Sequence, residues 1–243
     1  MRRFTHTFPQ RISAFLLCLA LLVGLLPTSA LAAGTDTGKA IQIGASNISG
    51  YDSMNNSYDY IYYGNWTAPD ENTTSGPIKW RVLDNQTNTG ADGLFLLSDV
   101  LLGTGADGGV YFDNTNPYSN TWQGSAAQTW CSTFYHDNLT TQEQGAVLAT
   151  TKSDSTYIST SSAYEYGVSS LSEDKVFFLS AEEAENSAYG FGSYNDRKAN
   201  YGNVAGCWWL RSPYALDTLQ AGAVRKKGYV DYFNVLVDWA ARP

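Results

Sequence analysis

Gly206-Cys-Trp-Trp-Leu-Arg-Ser-Pro213 is the segment with the strongest structural signal in the sequence. Its run of large apolar side chains predicts a buried core strand that contains Trp209. Because Arg211 follows directly, we expect its guanidinium to span the strand end and to pair with a carboxylate or with backbone carbonyls. We expect the same structural role for Arg242. Arg211→Ala should therefore destabilise folding and not abolish ligand binding selectively.

The segments outside this stretch begin with strand patterns, continue with grouped helix patterns and end with strands again. In Ile78–Leu83 the alternating Ile78, Trp80 and Val82 would line one face of a strand, and Leu94–Ser98 follows as its partner. Further strands are predicted at 40–43, 59–63, 175–180, 221–225 and 229–237. Polar composition predicts long surface loops over 150–172 and 187–203.

Three helix starts share one local signal, a hydroxyl residue three positions before Glu or Gln, which predicts a capping box. The cap residues are Ser125, Thr140 and Ser180. In the first helix Trp130 and its neighbours at helical spacing should face the core. The second helix should run to about 148 and the third from about 181 to 186. Grouped helices between strands predict an α+β domain with two to three short helices on a twisted antiparallel sheet.

Residues 1–32 have the features of a secretory signal: three arginines, an apolar run over 12–26, Pro27 and the small-residue site Ala30-Leu-Ala32. The alternative, a transmembrane anchor, needs about 18 or more apolar residues. We expect cleavage after Ala32. The single mature domain, 33–243, would comprise a polar lead-in to 76 and a main body from 77, without a membrane-spanning segment. It would be secreted or located at the cell surface.

Composition argues against nucleic-acid binding. The chain has 15 Lys and Arg against 23 Asp and Glu, a net charge of -8, and its signal segment contains three of the cations. An acidic surface without a basic stripe repels phosphate backbones. The chain is rich in aromatic side chains, with 17 Tyr and 7 Trp, which is typical of binding proteins.

Few residues in the mature sequence offer catalytic or metal-binding chemistry. Cys131 and Cys207 would form either a disulfide or two separate buried thiols. His136 is the only histidine after the signal, which argues against a His-cluster metal site. We interpret Glu182, Glu183 and Glu185 as helix first-turn acids, and we expect no cofactor and no metal.

The order of these signals resembles a family of uncharacterised exported bacterial domains. The matching residues are Pro77–Leu83, Leu94–Ser98, Trp122, Ser125, Trp130, Phe134, Tyr135, Val176–Ser180, Glu183, Ala184, Trp209–Pro213, Gly228, Arg242 and Pro243. The sequence Trp-Leu-Arg-Ser-Pro, followed by Arg-Pro near the end, is the most specific element. Relatives continue for a few more apolar residues, so we expect the last strand to be shortened here.

That family is similar to the C-type-lectin-like fold, which formylglycine-generating oxidases and the variable proteins of diversity-generating retroelements also use. The resemblance implies that the C-terminal strands and loops form a display surface. It implies no activity, because the family has none assigned. The calcium-binding motifs of sugar-binding lectins are missing, and the nearest oxygen cluster, Asp107, Asp113 and Asn114, is interpreted as turn residues.

The terminal strands and turns contain the residue types that suit recognition, large tyrosines beside adaptable amides and carboxylates. We predict ligand-binding roles for Tyr214, Asp217, Gln220, Tyr229, Asp231, Tyr232 and Asn234. The function expected is an exported, non-catalytic binding or display domain for an unknown protein or glycan. The alternatives are an enzyme of the formylglycine-generating or carbohydrate-active type and a structural module of the cell envelope.

Overall fold

The computed structural model describes residues 51–52, 57–67, 75–84, 93–103 and 109–243. The predicted signal segment and the strand predicted over 40–43 lie outside these residues. Within the described ranges, no helix combines the length and the apolar character needed to cross a bilayer.

Short strands and three α-helices make up the described chain, which confirms the predicted α+β class. The strands are β1 Tyr51–Asp52, β2 Ser57–Tyr58, β3 Tyr60–Trp66, β4 Gly76–Asp84, β5 Phe95–Ser98, β6 Val110–Tyr111, β7 Thr150–Ser153, β8 Tyr157–Ile158, β9 Glu165–Tyr166, β10 Ser170–Asp174, β11 Asn200–Tyr201, β12 Val204–Ala205, β13 Trp208–Pro213, β14 Gln220–Val224, β15 Val230–Asn234 and β16 Asp238–Trp239. The helices are α1 Ala126–Asn138, α2 Thr141–Ala146 and α3 Tyr194–Arg197, with 3-10 turns at Glu183–Glu185 and Ser187–Tyr189.

The strands pair antiparallel in small sheets, where the sequence predicted one twisted sheet. Two sheets have three strands, in the orders β3-β4-β5 and β13-β14-β15, and the remaining pairs are β1-β2, β6-β16, β7-β10, β8-β9 and β11-β12. In β4 the side chains of Ile78, Trp80 and Val82 are buried, as their alternation predicts. They pack with Phe134 of α1 in one hydrophobic cluster.

The first two predicted helices form with their predicted cap residues, but only the second completes the capping box, because Gln128 Oε1 accepts from the Gly124 amide instead. The Ser125 hydroxyl accepts from the Gln128 amide at 3.0 Å, and Thr140 and Glu143 complete a capping box. Trp130 is half-buried and stacks on Phe134 at 5.3 Å between ring centroids. These contacts fix α1 against the sheet that contains Trp80, whose ring meets Phe134 edge-on.

The third predicted helix is replaced by two 3-10 turns. Ser180 and Glu183 make the capping hydrogen bonds that the sequence predicts. At Asn186, however, the backbone is extended, and its side-chain oxygen accepts from the Ala188 amide. Asparagine competes with helical hydrogen bonding in this way, so the turn ends there and a second one begins.

Two further expectations about 150–180 are wrong. Residues 150–172, predicted as a surface loop, contain the strands of two hairpin-like pairs, β7-β10 and β8-β9. Residues 175–180, predicted as a buried strand, are irregular. Their backbone is satisfied in part by Arg211, whose amide donates to the Leu179 carbonyl and whose side chain donates to the Phe178 carbonyl.

Strand β13 lies between two hydrophobic clusters, so both of its faces are buried. Trp208 and Leu210 belong to one cluster and Trp209 to the other. The indole of Trp209 donates to the Val110 carbonyl. The pairing with β14 is irregular between Trp209 and Pro213, and Arg211 lies within this bulge. The bulge turns the Arg211 backbone towards Leu179 and away from the β14 ladder.

A buried ionic cluster surrounds Arg211, whose side chain is inaccessible to solvent. Its guanidinium donates to Asp154 at 2.9 and 3.0 Å and to Glu183 at 2.6 and 2.9 Å. With the bond to the Phe178 carbonyl, all five N–H donors are used. Lys152 adds contacts to Glu183 at 2.5 Å and to Asp154 at 3.3 Å. Two cations and two anions thus form a neutral group.

Arg242 is equally buried but has different partners. Its Nε donates to the Ser98 carbonyl at 3.0 Å, and the guanidinium lies 4.9 Å from the centre of the Trp208 ring. Among the residues that the structure describes, none accepts a hydrogen bond from its Nη2. Burial, together with the positive charge of Arg81, lowers the pKa of Arg242 to about 9.

The ionic cluster predicts a defined loss of stability in acid. Burial alone would raise the pKa of Glu183, but Arg211 and Lys152 outweigh it and lower the pKa from 4.5 to about 2. A lowered folded-state pKa stabilises the protein above the unfolded-state value, so this contribution is lost as pH falls from 4.5 towards 2. The contribution of Glu183 to the free energy of unfolding amounts to about 3 kcal/mol.

Urea unfolding measured across this pH range should show this loss in the wild type and in Glu182→Gln, which changes an exposed neighbour. In Glu183→Gln the loss over this range should be smaller by about 3 kcal/mol, while other carboxylates with lowered pKa values, such as Glu185, keep their acid dependence. If the acid dependence of Glu183→Gln equalled that of the wild type, the loss of stability could not be assigned to Glu183.

Candidate ligand-binding site

Three tyrosine rings from separate parts of the chain meet at the surface. Tyr214 and Tyr232 are stacked with centroids 3.9 Å apart and planes at 17°. Tyr164 packs edge-on against both, at 4.8 Å from Tyr232 and 6.0 Å from Tyr214. Tyr164 is exposed and the other two are half-buried. We refer to Tyr164, Tyr214 and Tyr232 as the tyrosine face.

The backbone brings Tyr164 to the end of β13. The Gly167 amide donates to the Pro213 carbonyl at 2.8 Å, and the Ala215 amide donates to the Glu165 carbonyl at 3.0 Å. An isolated bridge joins Tyr166 to Tyr214. The β8-β9 hairpin is therefore joined edge to edge with the segment that contains Tyr214, which fixes the rings of Tyr164 and Tyr214 relative to each other.

Gly222 makes room beneath the tyrosine face. It pairs with Tyr232 across β14 and β15, and a Cβ there would lie 3.2 Å from the ring of Tyr166 and 3.1 Å from the Ser212 carbonyl oxygen. The Tyr166 ring is fully buried and packs against Tyr214 at 6.4 Å. A side chain at this position would displace the buried ring that supports the face.

One amide side chain holds the loop between β13 and β14. Asn120 Nδ2 lies 3.1, 3.0 and 2.8 Å from the carbonyl oxygens of Tyr214, Asp217 and Gln220, respectively. The loop nevertheless exposes two apolar side chains, Leu216 at 78% and Leu219 at 42%. A fixed loop with exposed leucines thus borders the tyrosine face.

The seven predicted ligand-binding residues divide between this face and other places. Tyr214 and Tyr232 are part of it. In the adjacent loop, Asp217 accepts from the Leu219 amide and the Gln220 side chain, so these predicted residues stabilise the loop itself.

The other three predicted residues lie elsewhere. Tyr229 packs against Tyr194 at 4.3 Å. Asp231 pairs with Arg225, and strand alternation directs it away from Tyr232. Asn234 accepts from the Leu236 amide in the following turn.

The sequence predicted Glu185 only as a helix first-turn acid and missed that it organises the hairpin that contains Tyr164. Its carboxylate accepts from the amides of Thr160 and Ser161 at 2.7 and 3.1 Å and from the Tyr157 hydroxyl at 2.8 Å. Burial opposes its ionisation, but these hydrogen bonds outweigh burial and lower the pKa of Glu185. The ionised carboxylate therefore holds the turn at neutral pH. The sequence signal for this hairpin was the concentration of tyrosines at 157, 164 and 166.

The tyrosine face offers hydroxyl groups and apolar ring surface. Burial, the neighbouring Tyr214 and the charge of Asp231 raise the pKa of Tyr232. In the part of the chain that the structure describes, no three side chains of His, Cys, Asp or Glu lie together as metal ligands.

The other residues considered for catalysis or metal binding lie in settings that suit a structural role. Cys131 and Cys207 are separate free thiols, and burial raises the pKa of each, so neither is a ready nucleophile. His136 is exposed. Asp113 accepts from the amides of Thr115 and Ser119, which is the turn role expected of it, and Asp107 lies outside the described residues.

Fold and site together define a small α+β domain with a preformed aromatic surface. The chain belongs to the family described as a domain of unknown function, DUF6273, which matches residues 91–243. The matched region includes the tyrosine face and the ionic cluster around Arg211. No curated protein and no solved structure matches the chain.

The role of Glu185 predicts a local effect on the tyrosine face. In Glu185→Ala the amides of Thr160 and Ser161 lose their acceptor, so their hydrogen exchange should accelerate by about tenfold or more. Resonances of the Tyr164 ring should shift in the same spectra. The nearby, exposed Glu182→Ala is the matched control and should leave both unchanged. Unaltered exchange at 160 and 161 in Glu185→Ala would show that the turn does not depend on this carboxylate.

Proposed function

We propose that this protein is an exported, non-catalytic binding module that acts at or outside the cell surface. The observation that supports it most directly is the mutual packing of Tyr164, Tyr214 and Tyr232 at the surface. Such a surface loses little conformational entropy on binding, because its rings are already held by one another and by the fixed segments beneath them.

The arrangement of the rings favours a protein ligand over a glycan. Sugars bind aromatic residues by lying on an open ring face, and the stacking of Tyr214 on Tyr232 leaves each of these rings at most one such face. Ring edges and hydroxyls remain available. The exposed Leu216 and Leu219 in the adjoining loop add apolar surface that suits contact with another protein.

The C-type-lectin-like resemblance is part of the proposal. In that arrangement the C-terminal strands display the recognition surface, and here Tyr214 directly follows β13 while Tyr232 lies within β15. The three-stranded sheet β13-β14-β15 packs on two hydrophobic clusters, which gives the face a rigid base.

Arrays of glycans and of purified extracellular proteins, probed with the mature chain, test the proposal. We expect saturable binding to a protein, weakened about tenfold or more in Tyr164→Ala and Tyr232→Ala, because central tyrosines carry much of the binding energy at interfaces. Tyr62→Ala is the matched control, since Tyr62 is 63% exposed on β3, a different sheet. Its binding should equal that of the wild type.

Two results would overturn the proposal or change its ligand. Saturable binding that survives both Tyr164→Ala and Tyr232→Ala would place recognition elsewhere on the molecule. A saturating signal from glycans alone would replace the protein ligand by a sugar. Circular dichroism of each variant establishes that the fold is retained.

A further inference from the structure

A second candidate site lies away from the tyrosine face, in a cleft beside the β3-β4-β5 sheet. The cleft has a volume of about 130 Å³. Its walls are mainly apolar and include Trp80, Phe95, Phe134, Leu139, Leu148 and Phe177. We refer to it as the apolar cleft. Protein interiors are close-packed and leave few voids larger than a water molecule, so an open cleft with such walls is a candidate binding site.

The charged groups of the cleft that a ligand can still use are donors. Lys152, Lys175 and Glu183 are its charged lining residues. Both oxygens of Glu183 are already occupied, Oε1 by Lys152 and Arg211 and Oε2 by Arg211 and the Ser180 amide. This carboxylate already accepts four hydrogen bonds and is therefore not available to bind a ligand cation.

Within the described residues, by contrast, the two lysines have fewer acceptors than hydrogens. Lys152 Nζ contacts Glu183 and Asp154, which uses two of its three donors. Lys175 Nζ donates to the Tyr135 hydroxyl at 2.9 Å, and its side chain is exposed. A ligand that fits this arrangement combines an apolar body with an anionic acceptor.

We infer that the apolar cleft binds a small apolar carboxylic acid. The apolar body would lie among the aromatic walls, and the carboxylate would accept hydrogen bonds from Lys152 and Lys175. For comparison, an engineered cavity of about 150 Å³ holds one benzene molecule, so the cleft accommodates a ring of that size or a chain of about six carbons. This inference is independent of the tyrosine face and of the function proposed for it.

Titration with hexanoate, followed by methyl and amide NMR of the mature chain, tests the inference. A ligand of this size should bind with a dissociation constant of about 1 mM. The largest shifts should fall on Leu96, Val147 and Leu148, which line the cleft. 1-Hexanol has the same apolar chain without the charge and should bind about tenfold more weakly.

Four variants separate the contributions of charge and shape. Lys175→Gln should remove most of the preference for hexanoate over hexanol, and Lys226→Gln, which alters a lysine outside the cleft lining, should retain it. Ala146→Leu, which adds bulk at a lining residue, should weaken both ligands about tenfold. Gly145→Leu places the same bulk on the exposed neighbouring position and should leave binding unchanged.

Three results would overturn the inference: no shifts in the cleft up to about 10 mM hexanoate, equal affinity for hexanol, or binding unaffected by Ala146→Leu. Shifts confined to the tyrosine face would likewise reject the cleft as the site, while leaving the function proposed for that face open to its own test.

Discussion

The fold depends on the complete pairing of one buried guanidinium. Removing ions from water costs several kcal/mol for each ion, and a buried ion pair offsets this only when its hydrogen bonds are satisfied. Arg211 meets this condition, because its five donors reach Asp154, Glu183 and the Phe178 carbonyl. Loss of any partner would leave an uncompensated charge in the core.

This cluster ties together segments that are far apart in sequence. Asp154 follows β7, Glu183 opens a 3-10 turn, and Arg211 lies in the bulge of β13. Three residues after Arg211 the chain reaches Tyr214, which contacts both Tyr164 and Tyr232. The buried Arg211 therefore lies only three residues before Tyr214, a ring of the tyrosine face. Glu183 and Lys152 of the same cluster also line the apolar cleft.

The sequence predicts an element well where the signal lies within the element itself, as with the apolar alternation of β4 and the N-cap residue Ser125 of α1. It predicts that Arg211 pairs with a carboxylate or with backbone carbonyls, but it does not identify Asp154, 57 positions away, as the partner. Asn120 and Glu185 fix the loop and the hairpin beside the tyrosine face through hydrogen bonds to backbone groups that are distant in sequence. Such bonds produce no periodic pattern in the sequence, so they could not be predicted from it. For the same reason the pattern of 150–172 predicts a polar loop although the segment contains strands: polar side chains satisfy its turns and no alternation marks them.

The free energy of unfolding of Arg211→Ala, measured in urea at neutral pH, tests whether the buried cluster holds the fold together. Removing one partner of a buried ionic group costs about 3–5 kcal/mol, and we predict a loss in that range. Arg225→Ala, which breaks an ion pair with a 48% exposed arginine, should cost less than about 1 kcal/mol. If Arg211→Ala lost no more stability than Arg225→Ala, the structural role of the buried cluster would be contradicted.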